Sequence, residues 1–212
     1  MVNSYQVLKV LFAALLFMFS MQSVAAPISQ NDPAKMVDEL SQELIKQINE
    51  QRADLEAHPE HIRKFADEYV LPYVDTAKMA RYVMGKFWRS ASKEQQTEFV
   101  EEFSNTLIRS YSKSMLKLQI DEVIVRSAQT VKPGRVTVSS VITQVDGNKT
   151  DVVYRAFLNK KTNHWMLYDV TIEGISMLLN YRKAYASDFS KKGVDAVILD
   201  MKAKNQVLNG SV

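Results

Sequence analysis

Cysteine is absent from the chain, so neither a disulfide framework nor thiolate chemistry is open to it. Its six glycines are scattered, which excludes a glycine-rich loop that cradles phosphate. Histidine is almost as scarce, with only His58, His61 and His164. His58 and His61 flank Glu60, but they have no third ligand and lack the His-Glu-x-x-His zinc spacing; a solvated helix junction accounts for them. No Gly-x-Ser-x-Gly elbow exists, and Ser176, with glycine on one side only, reads as a helix-start residue. An excess of one charge is also lacking. The 27 basic and 24 acidic side chains nearly balance, which argues against nucleic acid and against standing attachment to anionic lipid. Beyond the first 21 residues no long apolar run occurs, so the rest of the chain does not span a bilayer.

What is present begins with an export signal. Lys9 precedes the almost wholly apolar stretch Val10–Met21, and small residues follow at Ser23, Ala25 and Ala26. This order is that of a cleavable secretory signal. About 12 apolar residues are too few for a bilayer core that needs about 20. Pro27 would hinder cleavage after Ala26, so the expected cut follows Ala25. Residues 1–25 are then the signal and residues 26–212 one domain. The cut removes one basic side chain and no acidic one, leaving a balance of +2.

Helices come next. Asp32-Pro33 is a helix start, and Met36, Val37, Leu40, Leu44, Ile45, Ile48 and Leu55 recur at helical spacing until His58-Pro59. Ile62, Phe65, Ala66 and Tyr69 mark a second helix, broken at Leu71-Pro72. Asp75 can cap a third, carrying Met79, Ala80, Tyr82, Val83 and Met84 and stopping at Gly85. Ser92 and Gln95 form a capping box ahead of a long stripe of Phe99, Phe103, Leu107, Tyr111, Met115 and Leu118.

At Ile120 the apolar period drops to two. Segments 120–129, 134–144, 150–159 and 164–172 read as four antiparallel strands joined by hairpin turns at Pro133-Gly134, Asp146-Gly147-Asn148 and Lys160–Asn163. After Gly174 the helical period returns, through Leu178, Tyr181, Tyr185 and Phe189 to Met201. Helices, then strands, then helices imply an α+β fold. Alternation puts Val136, Val138, Ser140 and Ile142 on one face of their strand, and Val152, Tyr154, Ala156 and Leu158 on one face of the next. It also groups Met166, Tyr168, Val170 and Ile172. The stripes from Phe99 to Leu118 and after Gly174 are the natural covers for this sheet.

Ten methionines give the apolar supply a soft character, which suits either ordinary core filling or a lipophilic cavity. Asp169 is the one acid in an otherwise apolar strand. Burial is costly for an unpaired carboxylate, so an ion pair is expected, with Arg182 two turns into the next helix as partner. A catalytic acid is the rival reading.

The spacing Asp75-x-x-x-Met79-Ala80-x-x-Val83-x-Gly85-x-x-Trp88 is followed by Ser92, Gln96, Phe99, Phe103 and Tyr111. Near the end stands Trp165-x-x-Tyr168-Asp169-Val170-x-Ile172-Glu173-Gly174-Ile175-Ser176-x-x-x-Asn180-Tyr181-Arg182, with Phe189, Gly193 and Leu199 beyond it. Together these residues resemble MlaC, the toluene-tolerance auxiliary family of periplasmic phospholipid-binding proteins. The resemblance implies a curved four-stranded antiparallel sheet of the nuclear-transport-factor-like kind, enclosed by helices around an apolar lipid pocket. It implies a periplasmic phospholipid carrier that maintains outer-membrane asymmetry. Its partners would be phospholipid as cargo, an outer-membrane lipoprotein–porin complex and the substrate-binding ring of an inner-membrane ABC transporter; no cofactor and no nucleic acid enter.

For such a pocket, stripe and strand face assign acyl-chain contact to Met79, Tyr82, Val83, Leu107, Tyr111, Met115, Val138, Tyr154, Ile172, Ile175 and Leu179. Arg81, Arg89 and Arg155 are expected at a headgroup rim. Two other classes stay open: an enzyme of the same fold using Asp169 or Glu173 as a buried acid, and a lipid-free adaptor.

Overall fold

The computed structural model describes residues 28–206. The expected signal and its cut lie outside the described residues. Helix α1 spans Pro33–Ala57, and the Asp32 carboxylate accepts the Lys35 N–H at 2.8 Å to cap it. Helix α2, His61–Tyr69, buries Ile62, Phe65 and Ala66. A 3₁₀ turn over Leu71–Tyr73 absorbs the Leu71-Pro72 break. Asp75 then caps α3, Thr76–Met84, accepting from the Lys78 N–H at 2.7 Å. Gly85 ends α3 at φ +56°, and a Cβ there would lie 3.2 Å from the Arg182 guanidinium, so both backbone and space call for glycine.

A single short turn, α4 (Phe87–Ser90), leads into α5, Lys93–Lys117, whose capping box is formed by Ser92 and Gln95 as the sequence expects. The sheet follows as an open, curved meander of strands β1 (Ile120–Lys132), β2 (Arg135–Gln144), β3 (Lys149–Asn159), β4 (His164–Ile172) and β5 (Ile175–Ser176). All neighbours are antiparallel. The fifth strand is a correction to the expected four. Gly174 at φ +78° and Glu173 at φ +48° turn the chain so tightly that Ile175 pairs back onto Ile172 before the helix begins. Helix α6, Met177–Asn205, closes the fold and breaks its helical geometry at Gly193 (φ 80°, ψ 172°).

Two sequence expectations about packing are overturned. Most of the sheet is covered by α1, with α6 meeting only β4 and β5 and α5 facing β4 across a cavity: Met36, Val37 and Leu40 pack with Tyr73 on Val136, Val138, Ala156 and Leu167. The opposite face of β2 and β3 carries Arg135, Thr137 and Arg155 beside Phe157. Helices α5 and α6 instead pack on each other and on α3 through an aromatic column. Phe103 meets Tyr181 edge-on at 5.3 Å, and Phe189 lies 5.5 Å from Phe99 and 5.3 Å from Phe87.

The second correction concerns β4. The β3–β4 register pairs Ala156 with Leu167 but Arg155 with Asp169, leaving Tyr168 as an extra residue. This bulge reverses the alternation, so Leu167 and Val170 share a face that strict parity divides between them. The far end of α6 is tied down by a buried polar network. The Asn205 amide donates to the Glu102 carbonyl and carboxylate, each at 2.9 Å, and accepts from Arg109 Nε at 3.1 Å.

Candidate functional site: an apolar cavity

The lower half of α1 and the inner face of α2 bury more apolar surface than they use against each other. Ile48, Leu55, Ile62 and Phe65 form a separate cluster bordered by Ile108, Met115 and Leu116 of α5. Between these helices and β4 lies a cavity of about 310 Å³. Met79 of α3, Leu107, Tyr111 and Met115 of α5, and Leu167, Val170 and Ile172 of β4 complete its wall. The bulge at Tyr168 matters here, because it turns both Leu167 and Val170 toward the helices.

Polar groups in the wall are few. Ser104 is buried, and its Oγ has no hydrogen-bond partner among the described residues. Tyr111 closes part of the wall; burial, reinforced by neighbouring Tyr181, raises its hydroxyl pKa well above the ordinary value. Asp169 reaches the wall but is fully committed. Its carboxylate accepts from Ser176 Oγ at 2.7 Å, the Leu178 N–H at 3.0 Å and Arg155 Nη1 at 3.2 Å. The ion-pair expectation therefore finds its partner in Arg155, the cross-strand neighbour, and not in Arg182. Arg182 lies over the Tyr82 ring at 4.8 Å instead. Glu173 is exposed, and its carboxylate accepts the Asp151 N–H at 2.7 Å.

Of the eleven residues assigned to acyl-chain contact, the structure brings Met79, Leu107, Tyr111, Met115 and Ile172 together around the cavity. The other six lie elsewhere. Val83 is in the core between α3, α5 and α6, while Val138 and Tyr154 belong to the layer between sheet and α1. Tyr82 points to the far side of α3. Ile175 is exposed and pairs with Ile172, which lines the cavity and is itself 39% exposed, so the two form an apolar lip at its edge; Leu179 is exposed in the first turn of α6. Val138 and Tyr154, expected beneath α5 and α6, lie beneath α1 instead. Sequence reasoning missed Ile48, Leu55, Ile62 and Phe65, though their signal was present: α1 carries apolar residues over more turns than one sheet face requires.

The three arginines expected at a rim are not at this cavity. Arg81 and Arg155 line a second, cationic depression on the other side of α3, and Arg89 is exposed away from both.

Against known proteins, residues 38–203 match the MlaC protein family. An intermembrane phospholipid transport system binding protein, MlaC of Haemophilus influenzae, is 22% identical over 176 residues, 82% of each chain. The toluene tolerance protein ttg2D of Pseudomonas putida is 24% identical over 182 residues, covering 85% of this chain and 82% of its own. Among solved structures, a phospholipid-binding protein of Ralstonia solanacearum, determined in complex with a phospholipid, superposes with a TM-score of 0.72. It is 22% identical and is matched over 82% of this chain and 96% of its own, a likeness of fold. The family match spans most of the sequence, and the chain belongs to the MlaC protein family.

Proposed function

We propose that this protein is a periplasmic phospholipid carrier. The observation that carries the reading is the cavity between α1, α2, α5 and β4, apolar nearly throughout and bordered by an exposed apolar lip. Family membership and the phospholipid-transport names of the relatives support it. Each methylene withheld from water is worth roughly 0.8 kcal/mol, so two chains of about 15 methylenes cost about 24 kcal/mol to expose. That cost forbids free passage of a lipid through water. A carrier has to match the apolar surroundings the lipid leaves, and then release it.

The geometry fits release as well as capture. A volume of about 310 Å³ sits at the lower edge of the ~300–1,000 Å³ typical of small-molecule sites, so a diacyl lipid enters by displacing lining side chains. Met79 and Met115, unbranched and deformable, suit that movement. Ile172 and its strand partner Ile175 offer the chains an apolar path at the edge of the cavity. In this reading the carrier exchanges phospholipid between an outer-membrane complex and an inner-membrane ABC transporter, so maintaining outer-membrane asymmetry.

The test is lipid extraction and native mass spectrometry of protein purified from the periplasm of a bacterial host. About one phospholipid per chain is expected. Protein that is consistently free of lipid, and that does not take up phospholipid from vesicles, would contradict the reading.

A further inference from the structure

On the side of α3 away from the apolar cavity, a groove of about 630 Å³ runs between α3, the start of α6 and the outer face of the sheet. Six cations line it, delivered by five separate elements: Lys78 and Arg81 from α3, Lys132 from β1, Arg135 from β2, Arg155 from β3 and Arg182 from α6. Only Arg155 has a carboxylate partner among the described residues, namely Asp169. Asp75 lies near Lys78, but its carboxylate caps the first turn of α3.

In place of acids, aromatic rings face three of the cations. Lys78 Nζ sits 3.7 Å from the centre of the Phe157 ring, the Arg135 guanidinium lies 5.3 Å from the same ring and 5.1 Å from Tyr168, and Arg182 covers Tyr82. Gathering like charges in one concavity works against folding. The pKa of Lys78 is depressed by its burial first and then by Arg135 and Arg81. In a chain whose basic and acidic side chains nearly balance, such a concentration is a local field aimed at an anionic occupant.

We propose that this groove docks an acidic polypeptide segment of a partner protein. The shape and lining choose among anions. A flat bilayer surface meets exposed Arg81, Lys132 and Arg182 but not the half-buried Arg135 and Arg155 on the floor. A single phosphate engages a few converging donors, whereas these cations are spread around 630 Å³. The groove also presents Val131, 66% exposed, and Tyr82, 40% exposed, which an inorganic anion leaves unused. A segment alternating acidic and apolar side chains uses both kinds of surface. The groove is distinct from the cavity and shares only Tyr168 with it, since α3 turns Met79 to the cavity and Lys78, Arg81 and Tyr82 to the groove. The inference therefore does not rest on the lipid-carrier reading.

The experiment is fluorescence anisotropy of the full exported protein with a labelled peptide of alternating glutamate and leucine. A glutamine–leucine peptide, pyrophosphate and phosphatidylglycerol vesicles serve as competing probes. Binding of the glutamate peptide is expected to weaken with ionic strength and to fall at least about tenfold in the double variant Arg135→Glu, Arg182→Glu. Lys46→Glu, exposed on α1 across the sheet, leaves it unchanged. Arg135→Gln is expected to raise Tm while lowering affinity, which separates lost binding from lost folding. Failure to bind the glutamate peptide, binding that ignores the groove substitutions, or equal dependence on those substitutions for vesicles or pyrophosphate would each overturn the proposal.

Discussion

The carboxylate of Asp169, only 1% exposed, is held 3.2 Å from the guanidinium of Arg155 on the adjacent strand, and the same carboxylate caps the first turn of α6 through the Leu178 N–H. One buried acid thus joins the sheet bulge at Tyr168 to the last helix. Its two partnerships are unequal. Removing the acid leaves Ser176, the Leu178 N–H and Arg155 without their acceptor, whereas Arg155 is 41% exposed and can turn to water. Asp169→Ala is expected to lose about 2–4 kcal/mol and Arg155→Ala only about 1 kcal/mol or less. Urea denaturation of both variants measures this, and equal losses would show that the ion pair dominates.

The α5–α6 contact depends on Asn205 in the same manner. Its side chain is 1% exposed and meets Glu102, Thr106 and Arg109. Asn205→Leu removes the amide and leaves the Glu102 carboxylate short of a donor, at an expected cost of about 2–3 kcal/mol. Hydrogen exchange should show the loss of protection concentrated in the last turns of α6 and in the middle of α5. A loss spread evenly over the fold would contradict that local role.

Much of this architecture is legible in the chain, for reasons that are local. Asp32, Asp75 and the Ser92–Gln95 pair cap their helices through atoms three residues away, so each start can be read from a short window. The hairpin turns likewise carry Gly134 and Gly147 at positive φ. What escaped reading is set by long-range geometry. The extra residue at Tyr168 is visible only once β4 is aligned with β3, and it reverses which β4 residues face the helices. Alternation alone cannot decide which helix covers a sheet. That choice fell to α1, and with it the cavity moved from the sheet face of Val138 and Tyr154 to the junction of α1, α2 and α5. Asp169 announced its need for a partner, but sequence spacing favoured Arg182 over the cross-strand Arg155.

A titration follows from the buried tyrosines. Burial raises the hydroxyl pKa of Tyr111, Tyr154 and Tyr185 above 10. The folded chain keeps these protons after the unfolded chain has released them. Stability from this source is therefore complete below pH 10 and declines as pH rises above it. Thermal unfolding at increasing alkalinity should show that decline, and Tyr111→Phe should make it shallower. An unchanged alkaline limb in Tyr111→Phe would remove Tyr111 from the set.

Filling the cavity separates lipid binding from folding. Leu107→Trp places a larger apolar side chain at the wall of a space of about 310 Å³. The variant is expected to fold, with a lipid-free Tm equal to or above that of the parent, and to lose most of its co-purified phospholipid. The analogous change at Val138, in the packed layer against α1, is expected to destabilise by about 1–3 kcal/mol through overpacking. Lipid retained in full by Leu107→Trp would place the cargo elsewhere.

The most direct measurement is photocrosslinking with a phospholipid that carries a diazirine near the end of one acyl chain, followed by peptide mapping. Adducts are expected on the cavity wall, at Phe65, Tyr111, Met115 and Ile172. Adducts confined to the sheet face at Val138 and Tyr154, or to exposed surface away from the cavity, would contradict the claim that this cavity holds the lipid.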